Sequence, residues 1–411
     1  MCLLVFGASL AYNRLIHVFL EVETMRNFDY FNPTRLIFGR GEIARLAEHI
    51  PADANVLVTF GGGSVKRNGI YDQVDKALGT LSHVEFWGIE ANPKVETLRQ
   101  AVALGREKKV NFVLAVGGGS VLDGSKLIAC ALADAPDRDP WDIVLTRRPV
   151  GCLPYGSVMT LPATGSEMNA NSVISCLATQ EKFAFQAPCF PSFSILDPDC
   201  CYSLSAQQVA ASLADITAHT LEQYMTWPGQ SRPMDRWAEG LLLTLKDLAP
   251  LLREPKPDYD TMADYMLTAT LGLNEMIAMG VSQDWATHAI GHELTALTGM
   301  AHGATLAIVY PALLRVMIDD KEAKLVQMGE RVFGVTEGTP RERALKTVDR
   351  LEAFFASLGL ATRLAEAQVA TSVDRTIVER FKSRHSAVGE RGRVTFVEVE
   401  KILATARPAK L

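Results

Sequence analysis

The pattern of hydrophobic and polar positions changes near residue 200. From about residue 54 to residue 200, short apolar runs such as NVLVTF, NFVLAV and FSIL alternate with glycine turns and helical patterns. Buried strands of a parallel sheet have this near-continuous apolar character, because helical crossovers cover both faces of the sheet. The first half of the chain is therefore predicted to form an α/β domain.

After about residue 204 the pattern is typical of long helices. The segments AQQVAASLADITAHTLEQYM and DRWAEGLLLTLKDLAPLL repeat apolar residues at helical spacing, and only RVTFVEV near the C-terminus has a strand-like pattern. We place the boundary in the loop LDPDCCYSLS, residues 196–205. The predicted organisation is an α/β domain at residues 25–203 and an all-helical domain at residues 204–411, with a ligand cleft between them.

The first 24 residues differ from both halves. They are apolar, but no basic residue precedes the apolar run, and Arg14 and His17 interrupt it. This pattern is atypical of a signal peptide and too broken for a membrane span. The alternation of apolar and polar residues that is typical of folded elements begins at Met25. Residues 1–24 are therefore predicted to be a leader outside the fold, and Met25 is an alternative translation start.

The composition narrows the classes of partner. A hydrophobic content of 48% with 21% charged residues is typical of a soluble globular protein. The net charge of −6 and the absence of Lys/Arg runs argue against a nucleic-acid partner. Seven cysteines without regular spacing, including adjacent Cys200 and Cys201, do not indicate a disulfide framework. We expect a cytoplasmic protein with no membrane partner.

Two glycine-serine loops follow two of the predicted strands, at residues 61–64 and 117–120. Consecutive glycines let backbone N–H groups approach an anion, and the helix that follows presents its positive N-terminal end. A tight strand-to-helix turn is the alternative, although one glycine normally suffices for such a turn. Two loops of this kind favour a dinucleotide held at one sheet edge. Hydroxyls and amides of residues 160–172 are further candidates for ribose or nicotinamide contacts.

Five of the eight histidines lie in the helical half, which also contains Asp215; His385 stands alone there, and the other four are His219, His288, His292 and His302. Asp215 and His219 are one helical turn apart, as are His288 and His292, and His302 follows soon after. A single Asp-x-x-x-His pair is usually a salt link or a cap, whereas two such pairs favour a metal site. Three of the histidines with Asp215 would suit Fe²⁺ or Zn²⁺, and the fourth would stand beside the metal as a proton carrier.

These segments together resemble the iron-containing alcohol dehydrogenases, and within them the NADPH-dependent aldehyde reductases of the butanol-dehydrogenase type. The similar segments follow the family's order from Met25 to near the C-terminus: FGGGSVKRNGIYDQV, LAVGGGSVLDGSKLIA, LPATGSEMNANSVIS, ADITAHTLEQY and QDWATHAIGHELTA. The resemblance implies the fold shared by this family and the dehydroquinate synthases, an α/β dinucleotide-binding domain followed by an all-α metal-binding domain. It also implies NADP(H), one divalent metal (Fe²⁺ or Zn²⁺) and a homodimer.

The resemblance also implies roles for individual residues. The implied metal ligands are Asp215, His219, His288 and His302, with His292 as the proton relay. The implied contacts with the adenosine 2′-phosphate are Gly61, Gly62 and Ser64. Those around the pyrophosphate and nicotinamide are Gly118, Gly119, Ser120 and Asp123, and further cofactor contacts are Thr160, Asn169 and Lys182.

The activity implied is the reduction of aldehydes to primary alcohols by hydride transfer, with the metal polarising the carbonyl. A preference for NADPH is expected, because the strand before Gly61 is followed by no carboxylate until Asp72, while Ser64 and Lys66 offer a hydroxyl and a positive charge. One alternative is a metal- and NAD-using cyclising lyase, which would need several basic residues near the metal; residues 280–302 contain no such cluster. The other is a non-catalytic nucleotide-binding protein, which would not need a complete set of ligands.

Overall fold

The structure is a computed structural model that describes residues 24–408, so the predicted leader lies outside the described residues except for Thr24. Six parallel strands form one sheet in the order β1-β8-β5-β4-β2-β3, and β6 pairs with β7 in a separate antiparallel hairpin. The strands are β1 (Arg35–Phe38), β2 (Asn55–Phe60), β3 (Ser82–Phe86), β4 (Phe112–Gly118), β5 (Tyr155–Leu161), β6 (Asn171–Cys176), β7 (Glu181–Gln186) and β8 (Phe193–Leu196). The predicted parallel α/β domain is confirmed.

Helices cover both faces of this sheet. They are α1 (Ser64–Arg67), α2 (Ile70–Leu78), α3 (Val95–Lys108), α4 (Gly119–Ala133) and α5 (Pro140–Thr146). Alternate residues of β4 face opposite ways: Val113 and Ala115 pack into one hydrophobic core, and Leu114 and Val116 into the other. This two-sided burial explains why the central strands are continuous apolar runs in the sequence.

The second half of the described chain is helical. Its helices are α6 (Ala206–Tyr224), α7 (Arg232–Leu251), α8 (Tyr259–Gly272), α9 (Ala286–Thr298), α10 (His302–Val316), α11 (Ile318–Phe333), α12 (Pro340–Ser357), α13 (Thr371–Ser383) and α14 (Phe396–Ala406). None of the helices within residues 24–408 is long and apolar enough to cross a membrane. The predicted all-helical domain is confirmed as a fold class, while the boundary between residues 203 and 204 stays a prediction.

The strand-like reading of RVTFVEV is wrong. Val394 makes only an isolated bridge to Val388, and Thr395 begins a helix instead of continuing a strand. The Thr395 side chain accepts from the backbone of Val397 and forms a capping box with Glu398. This local cap outweighs the β-propensity of the surrounding residues.

The sheet topology places the two glycine-serine loops side by side. The chain passes from β2 outwards to β3 and then returns to β4 on the other side of β2. Phe60 pairs in register with Val116, so residues 61–64 and 117–120 leave the sheet at the same edge. Crevices at such a reversal of strand order are where open α/β sheets bind ligands.

A disulfide lies at the amino ends of the strands, opposite the end that carries the two glycine-serine segments. Cys152 precedes β5 and Cys189 precedes β8, and the structure joins them with a Cα–Cα distance of 6.4 Å. The sequence analysis did not foresee this pair, which is a correction to the expectation drawn from the cysteine spacing. The other cysteines within residues 24–408, Cys130, Cys176, Cys200 and Cys201, are free and buried.

Candidate active site

Helix α6 carries the first two predicted metal ligands. Asp215 and His219 are each 5% exposed, and His219 Nε2 lies 3.7 Å from Asp215 Oδ1. Their spacing of one turn places both side chains on one face of the helix. Ser205 and Gln208 form a capping box at the start of α6, which fixes where its turns begin.

The other two predicted ligands come from α9 and α10. His288 Nε2 lies 3.9 Å from Asp215 Oδ1, and the ligand atoms of Asp215, His288 and His302 all lie within 4.8 Å of one another. His219 joins this group through its ring, which stacks on that of His288 with centroids 4.8 Å apart. The structure therefore brings the four predicted ligands together, and we call these four residues the metal cluster. Their assignment as ligands stays a prediction.

Glycines beside two of the histidines allow the three helices to approach closely. A Cβ on Gly303 would overlap the Ala211 carbonyl of α6, and a Cβ on Gly291 would lie 2.7 Å from the Leu306 side chain. Any other residue at Gly303 would push α10 away from α6, whereas at Gly291 the Leu306 side chain would have to shift. The close helix crossing is what brings His302 to Asp215.

Three polar atoms in the cluster lack partners. Among the described residues, Asp215 Oδ1, His219 Nδ1 and His288 Nε2 are buried and make no hydrogen bond. Buried polar atoms are nearly always satisfied, so an orphaned carboxylate oxygen facing an orphaned imidazole nitrogen indicates that something else binds there. One carboxylate with imidazoles is a donor set that fits a divalent first-row metal.

The histidines of the cluster are held neutral, which is the form that binds a metal. Burial lowers the pKa of His219 and of His288 to about 4, and the Asp215 carboxylate opposes this only in part. Burial also lowers the pKa of His302 well below its ordinary value, and the positive charge of Lys182 lowers it further.

His292 stands beside the cluster. It is half-buried, and its ring centroid lies 4.9 Å from that of His302 and 6.2 Å from that of His288. Like His219, it lies outside the three-residue group whose ligand atoms converge; His219 differs from it in having Nε2 3.7 Å from Asp215 Oδ1. Burial lowers the pKa of His292 well below its ordinary value, so the imidazole is neutral. The relay role stays a prediction.

Glu222 was not predicted from the sequence. This buried carboxylate accepts a hydrogen bond from the backbone N–H of His288 at 3.0 Å, and the same oxygen lies 3.0 Å from Nδ1 of the His288 ring. Burial, together with the nearby Asp284 carboxylate, raises the pKa of Glu222; backbone donors from His288 and Trp285 and the Lys321 ammonium oppose this. Its place on α6, three residues after His219, was the one available signal, because that spacing puts it on the same helix face.

At the loop after β2, the structure leaves open space. Cβ atoms on Gly62 and Gly63 would meet nothing within 4 Å, whereas one on Gly61 would lie 3.3 Å from the Ile89 carbonyl. Lys66 projects beside this loop, with Nζ 4.0 Å from the centre of the Trp87 ring. An exposed loop with a cation next to it suits the phosphate end of a dinucleotide.

The residues predicted as a loop after β4 form a direct strand-to-helix junction, since β4 ends at Gly118 and α4 begins at Gly119, and this junction is packed more tightly. A Cβ on Gly118 would lie 2.9 Å from the Leu161 side chain, and a Cβ on Gly119 would overlap the Thr164 hydroxyl. Positive φ angles are not the reason for these glycines, because neither adopts one. Helix α4 starts at Gly119, so its N-terminal N–H groups lie at the crevice, where they can meet a pyrophosphate.

Of three predicted cofactor contacts, Asp123, Asn169 and Thr160, the first two already make hydrogen bonds within the protein. Asp123 accepts from Ser166 Oγ and from the backbone of Val173, and Asn169 Nδ2 donates to the carbonyls of Thr164 and Leu273. These two side chains therefore support the 164–173 segment, and a direct cofactor contact would have to share those bonds. Thr160, near the carboxyl end of β5, is half-buried at the same sheet edge as the glycine loops.

Lys182 connects the metal cluster with the nucleotide edge. Its Nζ donates to Asn92 Oδ1 at 2.8 Å, and the Asn92 N–H donates to Ser120 Oγ at 3.2 Å. Burial lowers the pKa of Lys182 to about 8, and the carboxylates of Asp215 and Asp123 oppose that shift. Lys182 also lowers the pKa of His288 and His302, so its charge acts on the metal cluster from the nucleotide side.

Comparison with known proteins agrees with this geometry. The family model for iron-containing alcohol dehydrogenase matches residues 33–198, and the model for the C-terminal part of that family matches residues 209–406. The chain is 47% identical over 388 residues to NADPH-dependent aldehyde reductase YqhD of Escherichia coli, covering 93% of this chain and all of the relative. It is 42% identical over 364 residues to probable NADH-dependent butanol dehydrogenase 1 of Bacillus subtilis, covering 87% of this chain and 93% of the relative.

Solved structures give the same result. The crystal structure of Escherichia coli YqhD superposes with a TM-score of 0.91 at 46% identity, covering 93% of this chain and all of the other. Butanol dehydrogenase A of Thermotoga maritima superposes with a TM-score of 0.88 at 33% identity, covering 94% of this chain and all of the other. The chain belongs to the iron-containing alcohol dehydrogenase family, and it is an oxidoreductase of the alcohol dehydrogenase type.

Proposed function

We propose that this protein is a metal-dependent, NADP(H)-linked aldehyde reductase that converts aldehydes to primary alcohols. The observation that carries the proposal is the convergence of the ligand atoms of Asp215, His288 and His302 in a buried group. The charge of Lys182, which donates to Asn92 at the nucleotide edge, lowers the pKa of His288 and His302 in that group. A cation in the cluster and a nicotinamide at the crevice would then face each other across one cleft.

Asp215, His219, His288 and His302 would hold the divalent metal, Fe²⁺ or Zn²⁺. When bound, the metal supplies a Lewis acid for the carbonyl oxygen, and the nicotinamide supplies the hydride. The protein's own contribution is to bind and orient the reactants and to keep water out of a cleft whose ligand residues are largely buried.

His292 is the proposed proton carrier. A neutral imidazole beside the cluster can relay a proton: it passes the proton of one ring nitrogen to the oxygen of the nascent alcohol as the other ring nitrogen takes up a proton from solvent. Its ring lies next to that of His302 without joining the converging ligand atoms, which is the placement this role requires.

For the cofactor, we propose NADPH in preference to NADH. Gly62 leaves room for a 2′-phosphate, Ser64 adds a hydroxyl, and Lys66 makes no ion pair with any residue between 24 and 408. The relatives differ on this point, since the Escherichia coli enzyme is named for NADPH and the Bacillus subtilis enzyme for NADH. The loop therefore has to be tested in this chain.

The cyclising-lyase alternative is less well supported. Such an enzyme needs several cations near the metal to hold an acidic substrate, whereas among residues 24–408 the cation that most lowers the pKa of His288, His292 and His302 is a single lysine, Lys182. A homodimer and a cytoplasmic location also stay proposals.

The test is an aldehyde panel with purified protein reconstituted separately with Fe²⁺, Zn²⁺ and Mn²⁺. We expect NADPH oxidation only when both a metal and an aldehyde are present, and a metal content of about one per chain. Stoichiometric metal without aldehyde-dependent oxidation would favour the lyase. A protein that binds nucleotide but no metal would favour the non-catalytic alternative.

A further inference from the structure

Glu222 joins the metal cluster to the start of α9. It lies on α6 one turn after His219 and two turns after Asp215, so the three side chains share one face of the helix. Glu222 is 1% exposed, and its Oε1 is 3.0 Å from both the backbone nitrogen and Nδ1 of His288. Its Oε2 accepts from the backbone N–H of Trp285, also at 3.0 Å.

These contacts close the N-terminus of α9. The helix begins after Trp285, which has a positive φ of 64° and provides no side-chain cap. N–H groups in a first helical turn have no partner within their own helix, and a carboxylate there is also favoured by the helix dipole. Glu222 satisfies two of them, and its backbone carbonyl accepts from Asp284 N–H at 2.8 Å. Glu222 therefore fixes the position of α9 relative to α6.

The same carboxylate sets the orientation of the His288 ring. A carboxylate only accepts, so the proton of a neutral His288 belongs on Nδ1, and Nε2 keeps its lone pair. That Nε2 is one of the buried atoms without a hydrogen-bond partner among the described residues, and it lies 3.9 Å from Asp215 Oδ1. If Glu222 were protonated, its O–H would have to point at Nδ1 of His288, because its other two partners are backbone N–H groups that can only donate. The proton of the neutral His288 ring would then lie on Nε2, where it would block metal binding.

We infer that Glu222 is a positioning residue that holds His288 as the Nδ1–H tautomer with Nε2 directed at the bound metal. The inference rests on the metal site proposed above. Outer partners of this kind commonly change metal affinity by about 10- to 100-fold. Two properties separate this role from a merely structural one: the metal affinity of the folded protein and the tautomer of His288.

Affinity is tested with Glu222→Gln and Glu222→Leu, and with Glu239→Gln as the matched control. Glu239 is an equally buried carboxylate that accepts from Tyr224 and Arg331 and contacts no residue of the metal cluster. The Zn²⁺ affinity of each metal-free protein is measured by competition with a chromophoric chelator, alongside urea unfolding. We expect Zn²⁺ binding to weaken about 10-fold in the glutamine variant and about 100-fold in the leucine variant. The control should lose stability without losing affinity.

The tautomer is read by ¹⁵N NMR of metal-free protein labelled at histidine, with His288→Gln used to assign the signal. Wild type should show Nδ1–H at His288, and Glu222→Leu should shift the population towards Nε2–H. Unchanged affinity in a folded Glu222→Leu protein, or Nε2–H in wild type, would overturn the inference. If Glu222→Leu does not fold, the glutamine variant decides in the same way. If wild type does not bind Zn²⁺, the proposed metal site is wrong instead. The NMR experiment uses metal-free protein, so it reports the His288 tautomer separately from metal binding.

Discussion

The metal cluster and the nucleotide edge are built in opposite ways. The cluster consists of side chains from three helices whose donor atoms converge in a buried space. The edge consists of backbone, where glycines leave space or allow close packing at the ends of β2 and β4. Loss of a side chain should therefore destroy the first site, whereas gain of a side chain should change what the second site accepts.

The largest effect is expected from His302→Ala. Removing one of four ligands should lower metal occupancy and turnover together, by roughly a thousandfold in activity, because partly coordinated divalent ions bind much more weakly. Metal content and kcat are measured on the same preparation. His83→Ala, on the edge strand β3, is the control and should keep both. Full occupancy with near-normal activity in the His302 variant would refute the ligand assignment.

A smaller effect, on rate alone, is expected from His292→Ala. Because its ring stands beside the cluster and outside the converging ligand atoms, the variant should keep its metal and lose roughly a hundredfold in kcat. Elemental analysis and steady-state kinetics are the measurements. Loss of metal in this variant, with retention in His288→Ala, would mean that the two histidines exchange the proposed roles.

At the nucleotide edge, Gly62→Asp should reverse much of the preference for NADPH. A Cβ at this position meets nothing within 4 Å, so the change adds a charge without a clash. We expect wild type to favour NADPH over NADH by at least about tenfold in kcat/KM, because one charge-assisted phosphate contact contributes roughly 1.5–3 kcal/mol. Gly62→Asn separates charge from size and should change the preference less. Equal use of both cofactors by wild type would show that this loop does not read the phosphate.

The smallest effect concerns Lys182, which lies between the two sites. Burial lowers its pKa to about 8 from an ordinary value of 10.5, so between these pH values the unfolded chain binds more protons at this residue. The contribution of Lys182 to stability should therefore rise with pH. Between pH 8 and 10, the free energy of unfolding of metal-free wild type should rise relative to Lys182→Met by on the order of 1 kcal/mol. Urea unfolding at both pH values measures it, and a relative fall would contradict the burial argument.

Much of the fold could be predicted because the central strands are buried on both faces. The runs that form β2, β4 and β8 are continuous and apolar, whereas the edge strand β3 is partly exposed along its length and has no clear pattern. The β6–β7 hairpin alternates and was also missed. The disulfide joins cysteines 37 residues apart, so it forms only because the fold brings two loops together. The local sequence pattern carries no information about that contact.

The candidate site also has features that the sequence could predict and features that it could not. The spacing of Asp215 and His219 predicted a shared helix face, and the family resemblance supplied the partners on α9 and α10. Glu222 escaped notice because its role depends on the crossing of α6 and α9. The motif around Asp123 marked it as a candidate cofactor contact. It could not show that Ser166 and Val173 already donate hydrogen bonds to the Asp123 carboxylate.

Anomalous diffraction at the zinc edge, from crystals of protein reconstituted with Zn²⁺, tests the central claim most directly. The account predicts one strong peak per chain within about 2.0–2.2 Å of a carboxylate oxygen of Asp215 and of one ring nitrogen each of His219, His288 and His302. His292 should lie beyond bonding distance of that peak. A peak at another place in the chain, or one that includes His292 and omits one of these three histidines, would contradict it.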